Sequence, residues 1–405
     1  MFVLEVKPEI ILNSRKEETI QITLKTYEGK FVVSAPSGKS LGKQEVGPYN
    51  SKGISRSLFL LKHFSKQLIH QNFFIKKVND LKQIRELIYR FEKKYGRLGG
   101  NVTYALEGVF LRAAAADAHV DVFEFINNDM NLGMNVKIPM PVGNCIGGGL
   151  HSEPVNGFRP DFQEFLLIPR EKTFSRAITV NLRAYEYAKK LLKAKKRNDE
   201  NAWVTGLSNE DVLDILREIK DKFGFRIGLD VAASTFYSNG YYRYKNKELV
   251  RDKRDQADYI SRLAKKYGIF YIEDPIQEED FSGFTEVMNS VPKKAKGSPK
   301  TLVVGDDLTV TNPKLLRRAV KAGSINAIII KPNQIGSILN VKEVVEICKK
   351  NDIIMIFSHR SGETMDDLIS DLAVGFGADF VKFGIYGRER LIKLKRIRDI
   401  ELKIS

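Results

Sequence analysis

Short apolar runs recur through the second half of the chain, and each leads into a charged side chain. FRIGLD ends at Asp230, GIFYIED carries Glu273, and KTLVVG is followed by Asp306. NAIIIK ends at Lys331, IIMIFS is followed by His359 and Arg360, and DFV is followed by Lys382. Successive charged positions are 43, 33, 25, 28 and 23 residues apart. Each gap holds a strand, a helix and two loops, so the rhythm predicts parallel βαβ units. In a closed (β/α)8 barrel the carboxyl ends of the strands converge on one mouth, where catalytic groups gather.

The chain before this rhythm reads differently. FVLEVKP, TIQITLKTYEG and KFVVSAP are strand-like stretches within residues 1–48, with a hairpin turn at 28–30. Helical periodicity follows over 54–72, 79–94 and 104–118, the last rich in small residues. This predicts an N-terminal α+β domain over 1–130. From Val136 the pattern changes. IPMPVGN and QEFLLIP read as strands, followed by a helix at 173–196, a polar loop at 197–206 and a helix at 208–224. An amphipathic helix from about 388 closes the chain. The expected fold class is thus α/β, with the N-terminal α+β domain followed by a (β/α)8 TIM-like barrel over 136–405.

Composition narrows the class. A chain of 405 residues suffices for two domains. No apolar run approaches the ~20 residues that span a bilayer, which argues against a membrane protein. Glu5 and Lys7 interrupt the stretch where a leader peptide needs an apolar core, which argues against export. Cys145 and Cys348 are the only cysteines, so no disulfide framework is implied and the cytoplasm is the expected compartment. The net charge of +16 admits two readings. One is nucleic-acid binding. The other is a set of lysines spread over exposed helix faces, and KKLLKAKKR (189–197), at helical spacing without interleaved aromatics, fits the latter. A positive field would also draw in a phosphorylated substrate.

A lone acid at a strand end is more often a cap or turn residue. Three in succession at βα spacing argue for a site. Carboxylate oxygens are hard ligands suited to Mg²⁺, and no histidine cluster has zinc-like spacing. Lys331 follows four apolar residues. Burial and cationic neighbours there would lower its pKa and make it a general base. The competing reading is a lysine that pairs with an acid.

The wording of several segments is specific. APSGKSLG (35–42), GRLGGN (96–101), GGLH (148–151), QEFLLIP (163–169) and IGLDVAAS (227–234) appear in order. YIEDP (271–275), GDDLTVTNP (305–313), KPNQIG (331–336), SHRSGETMDD (358–367) and KFGIYGRERL (382–391) follow. Over nearly its whole length the chain resembles the enolase (phosphopyruvate hydratase) family, in an archaeal-like variant. The resemblance implies reversible dehydration of 2-phosphoglycerate to phosphoenolpyruvate, in glycolysis and gluconeogenesis. It implies Lys331 as the base for the C2 proton, and Asp230, Glu273 and Asp306 as ligands of the tighter of two Mg²⁺ ions. Enolase-superfamily sites are themselves a standard instance of a Lys or His base with Mg²⁺ stabilising an ene-diolate. Glu200 matches the acid that assists departure of the C3 hydroxyl, with Glu164 as its acidic partner. Arg360 and Ser361 match phosphate binders, Ser40 the residue serving the second Mg²⁺, and Lys382 the cation on the substrate carboxylate. His151 matches a histidine on a loop over the substrate, and His359 lines the wall. A homodimer or higher homo-oligomer is the family expectation, with a small-molecule substrate and no required nucleic acid.

The chain also departs from the family pattern. DSRGNPT reads NSRKEET, SGAST reads SGKSL (37–41) with Lys39 and Leu41 new, and GDEGG reads NDENA (198–202). Replaced glycines can forbid backbone angles with positive φ and shift a loop. Pro332 beside the base is expected to stiffen its strand end. The alternative readings are an enolase-like paralogue with another substrate, or a non-enzymatic nucleic-acid-binding protein. Against these, the chain keeps SHRSGET, the metal-ligand positions and the base.

Overall fold

In the computed structural model, residues 1–39, 42–133, 136–293 and 301–405 are described. Ser40 and Leu41 lie outside them. The N-terminal part opens with an antiparallel sheet, β1 (Val3–Leu12), β2 (Glu18–Thr26) and β3 (Lys30–Ser34), in sequential order. Ile20, Ile22 and Leu24 of β2 are fully buried, the period-two face of a strand packed on one side. Helices α1 (Ile54–Leu68), α2 (Lys82–Tyr95), α3 (Gly100–Asp117) and α4 (Val122–Asp129) follow. Ile84, Ile88 and Phe91 form the buried stripe of α2 at helical spacing. The small-residue helix α3 is buried on nearly every side, between the sheet and the barrel.

The second part is a barrel with a modified start. Its strands and helices begin with β4 (Met140–Pro141), β5 (Gly143–Gly147), β6 (Glu164–Ile168), α5 (Phe174–Leu192), β7 (Trp203–Val204), α6 (Asn209–Phe223) and β8 (Arg226–Asp230). A small sheet of β9 (Tyr237–Ser238), β10 (Tyr241–Tyr244) and β11 (Leu249–Arg251) precedes α7 (Lys253–Tyr267). Then come β12 (Tyr271–Glu273), α8 (Phe281–Ser290), β13 (Leu302–Gly305), α9 (Pro313–Ala322) and β14 (Ala327–Ile330). The chain continues through α10 (Pro332–Ile335), α11 (Ile338–Lys350), β15 (Ile354–Ser358), α12 (Leu368–Gly375), β16 (Phe380–Lys382) and α13 (Arg388–Ile404).

Strands β8, β12, β13, β14, β15 and β16 pair in parallel in that order. β4 pairs with β16, and β5, one residue further on, pairs with β6, which closes the ring. β6 runs antiparallel to both β5 and β8. The sequence rhythm predicts eight parallel βα units. The barrel instead opens with an antiparallel β-strand pair, because the loop between β5 and β6 carries no crossover helix and a short connection returns the chain antiparallel.

Inside the ring Val142, Leu166, Ile168, Tyr271, Leu302, Val304, Ala327, Ile329 and Ile356 form one buried cluster. These are alternate residues, so the same inward face continues two residues later at the mouth. Val304 leads to Asp306, Ile329 to Lys331 and Ile356 to Ser358; Tyr271 leads to Glu273 and Phe380 to Lys382. In the antiparallel β6, Leu166 leads backwards to Glu164.

Candidate active site

Register aligns the charged row. Glu164 is paired with Asp230, Asp230 with Glu273, and Ser358 with Lys382. Lys382, its side chain only 4% exposed, places its ammonium 2.9 Å from Asp230 Oδ2, 2.9 Å from both Glu273 oxygens and 3.2 Å from Glu164 Oε2. Burial alone would lower the Lys382 pKa, but Asp230, Glu164 and Glu273 outweigh it and hold it well above the usual lysine range. Tyr271 donates its phenolic hydrogen to Glu273 from below. Burial, with the charge on Asp230, pushes Glu273 up to about 8 despite Lys382.

Lys331 pairs with Asp306 Oδ2. Here the expectation of a lowered lysine pKa is corrected. Burial does act to lower it, but the Asp306 carboxylate against the ammonium outweighs burial and raises it. Asp306 shows the reciprocal balance: burial would raise it, and Lys331 brings it below the usual range. The backbone N–H of Lys331 donates to Thr311 Oγ1 at 2.9 Å. Pro332 occupies the first turn of α10, where its fixed φ suits a helix start. Gly336 ends this turn at φ +69, and a Cβ there would lie 2.6 Å from the Gly100 Cα. That close approach lets α3 brace the segment behind Lys331.

Glu164 and Glu200 form the second feature. Burial pushes Glu164 well above the usual carboxylate range; Lys382 opposes this, while Glu200 and Asp230 add to it. Burial acts the same way on Glu200, but His151 and His359 override it and hold Glu200 well below that range. The contacts are His151 Nδ1 to Glu200 Oε1 at 3.4 Å and His359 Nε2 to Glu200 Oε2 at 3.7 Å, ion-pair rather than close hydrogen-bond distances. Burial lowers the His359 pKa beyond what Glu200 restores. At His151 burial also lowers, but the Glu200 contact prevails and raises it. The surroundings thus push the two carboxyls in opposite directions, Glu164 up and Glu200 down. The loop that carries Glu200 has a positive-φ position filled without glycine. Asn201 adopts φ +64, a conformation asparagine tolerates, and its carbonyl accepts from Tyr185.

Arg360 follows β15, and its guanidinium grips the buried carboxylate of Glu45 at 2.7 and 3.2 Å. Ser361 Oγ accepts from Arg15 Nη1 at 3.2 Å. His151, Glu164, Glu200, Asp230, Asp306, Lys331, His359, Arg360, Ser361 and Lys382 all line one cavity at the barrel mouth, so nearly all the sequence-expected residues meet. Glu273 contributes from beneath, through Lys382. Ser40 is outside the described residues.

Among the described residues, two trios bring one ligand atom each within 4.8 Å of one another: Asp274, Asp306 and Asp307, and His151, Glu164 and Glu200. Asp230, Glu273 and Asp306 are not grouped in this way; Asp230 and Glu273 pair with Lys382, and Asp306 with Lys331. The donor chemistry still fits a hard divalent cation. Asp230, Glu273, Asp306 and the Asp274–Asp306–Asp307 trio offer carboxylates alone, and Asp306 Oδ1 is buried without a hydrogen-bond partner. Sequence reasoning missed Asp274, Asp307 and Glu45. Asp274 accepts from the backbone N–H groups of Asp306 and Asp307 at 3.0 and 2.7 Å and so shapes the ligand loop. Its position directly after Glu273 in YIEDP was the available signal.

No helix among the described residues is long and apolar enough to cross a membrane. The family model for the enolase C-terminal TIM barrel domain matches residues 135–405, and that for the enolase N-terminal domain matches 3–126. Curated relatives named enolase agree. That of Thermoplasma acidophilum is 34% identical, covering 98% of this chain and 97% of the relative. The relative from Picrophilus torridus is 33% identical over 96% of both chains. The one from Archaeoglobus fulgidus is 33% identical over 99% of this chain and 97% of its own.

Proposed function

The chain belongs to the enolase family and catalyses the reversible dehydration of 2-phosphoglycerate to phosphoenolpyruvate, and on that premise we propose which of its residues carry each step. Lys331 takes the C2 proton. It acts as the neutral amine, so the ammonium that pairs with Asp306 must first release a proton to solvent, and the Asp306 charge opposes that release. Asp230, Glu273 and Asp306 would hold a divalent metal, which we take to be Mg²⁺, two per site, the second served by Ser40. When bound, the metal would supply Lewis-acid stabilisation of the negative charge that develops on the substrate carboxylate. Charge on Asp306 shared with a cation would ease the release of that proton from Lys331.

Lys382 faces the same carboxylate charge from the barrel side. The electron pair left at C2 forms the double bond to C3 as the C3–oxygen bond breaks. The departing hydroxide takes a proton from the pair of Glu164 and Glu200 and leaves as water. His151 and His359 keep Glu200 anionic until the proton crosses from Glu164. Arg360 and Ser361 receive the phosphate; the planar guanidinium fork suits its oxygens. The observation that carries this assignment is the meeting, in one cavity, of two buried lysine–carboxylate clusters with an Arg–Ser pair.

We further assign residues 1–130 and 136–405 as the two domains, the cytoplasm as the compartment, and a homodimer or higher homo-oligomer as the assembly, on family grounds. The test is phosphoenolpyruvate formation from 2-phosphoglycerate, followed by ultraviolet absorbance. Turnover that requires Mg²⁺ and is lost on Asp306→Asn supports the assignment. An unchanged metal requirement in Asp306→Asn removes Asp306 from the ligand set.

A further inference from the structure

Lys39 stands where the family motif has alanine, and its side chain does something specific. Its ammonium lies 3.0 Å from the backbone carbonyl of Leu150 and 3.4 Å from Asp199 Oδ2. Leu150 directly precedes His151, and Asp199 directly precedes Glu200. One cation thus ties together the two loops whose next residues make the 3.4 Å His151–Glu200 contact. Asp199 also faces Arg15 Nε at 4.0 Å, and its Oδ1 is buried without a hydrogen-bond partner. The Asp199 side chain is 20% exposed and that of Lys39 36%, so the pair is screened only in part.

We propose that Lys39 is a positioning residue, a strap that sets the separation of His151 and Glu200 and so controls protonation of the leaving hydroxyl. The proposal rests on the assignment of Glu200 to that step. Lys39 also lines the cavity, so the rival reading is direct contact with the substrate phosphate. The two differ in what they slow. A strap acting through Glu200 affects departure of the C3 hydroxyl and leaves removal of the C2 proton alone. A phosphate contact affects substrate binding, and with it both steps.

The experiment compares Lys39→Met, Lys39→Arg, Asp199→Asn and the Lys39→Met/Asp199→Asn double variant in full-length protein with Mg²⁺. Dehydration rate, KM and C2 hydrogen–deuterium exchange of 2-phosphoglycerate are each measured. The strap predicts that Lys39→Met slows dehydration about tenfold with exchange within twofold of wild type. It predicts recovery in Lys39→Arg, which keeps the charge, and a double variant no slower than either single one. A KM raised tenfold with both steps slowed alike, or additive losses in the double variant, overturns it. A readout independent of turnover is trypsin cleavage at Lys195, Lys196 and Arg197, just before the Asp199 loop. Cleavage several-fold faster in Lys39→Met than in wild type is expected, and equal rates contradict the strap even if the protein turns over no substrate.

Discussion

Replacing Lys382 by methionine tests how the charged row at the barrel mouth is held. The ammonium sits between Asp230, Glu273 and Glu164 at 2.9 to 3.2 Å, with its side chain 4% exposed and those of its partners 5% or less. Methionine keeps most of the volume and removes the charge. Breaking one buried pair by deleting a partner typically costs about 3–5 kcal/mol, because the remaining charge is left uncompensated. Here three carboxylates lose a common cation, so the upper end of that range is expected at pH 7. Part of the loss is relieved by proton uptake, since Glu273 already sits at about 8 with Lys382 present. The sign follows. Without the lysine, Glu273 and Glu164, both already raised in the fold, lose the cation that opposes that rise and move further above their unfolded values. Such groups stabilise fully below the unfolded pKa and lose that contribution as pH rises through the folded one. The variant should therefore be least destabilised near pH 5 and progressively more so towards pH 9. In wild type, Lys382 is held above its ordinary pKa, so its own contribution is constant across this window. Urea unfolding in metal-free buffer at several pH values gives the difference directly. A variant within about 1 kcal/mol of wild type at pH 7, or a pH-independent difference, would show that Lys382 does not hold these carboxylates together.

Three further outcomes follow from particular contacts. Glu200→Gln should slow dehydration at least a hundredfold while C2 exchange continues near the wild-type rate, and equal losses in both would remove Glu200 from the leaving-group step. Buried Glu107 accepts from Ser337 Oγ and the N–H of Ile338, and pairs with Arg85, fastening α3 to the start of α11. Glu107→Ala should cost about 3 kcal/mol in thermal or urea unfolding, from the orphaned donors and the unpaired Arg85; a loss under 1 kcal/mol would show that fastening to be dispensable. Arg360→Lys keeps the charge but not the fork, and should raise KM for 2-phosphoglycerate at least tenfold; an unchanged KM would move phosphate recognition elsewhere.

The strand-end acids and lysines were legible because two facts coincide: the βα rhythm sets which ends meet, and the period of two sets which side chains point inward. Glu164 was not legible by that route. It begins the strand EFLLI, and in a wholly parallel barrel the start of a strand lies at the far end from the site. Only the antiparallel direction of β6 brings it to the mouth, and strand direction is a property of pairing rather than of local pattern. The resemblance located Glu164, not its geometry. The ionisation of Lys331 was equally hidden. The run AIIIK signals burial, but whether burial or an acid controls the pKa depends on Asp306, 25 residues away in sequence. Glu45 and Asp274 act through loop contacts to Arg360 and Asp306 that no periodicity records.

Removal of the C2 proton by Lys331 is open to a direct test, exchange of the C2 hydrogen of 2-phosphoglycerate with deuterated solvent, in wild type and in Lys331→Ala with Mg²⁺ present. Exchange is expected in wild type and none above background in the variant, with Mg²⁺ binding largely retained by calorimetry. Exchange at the wild-type rate in a folded Lys331→Ala protein would contradict it and place the base on another residue.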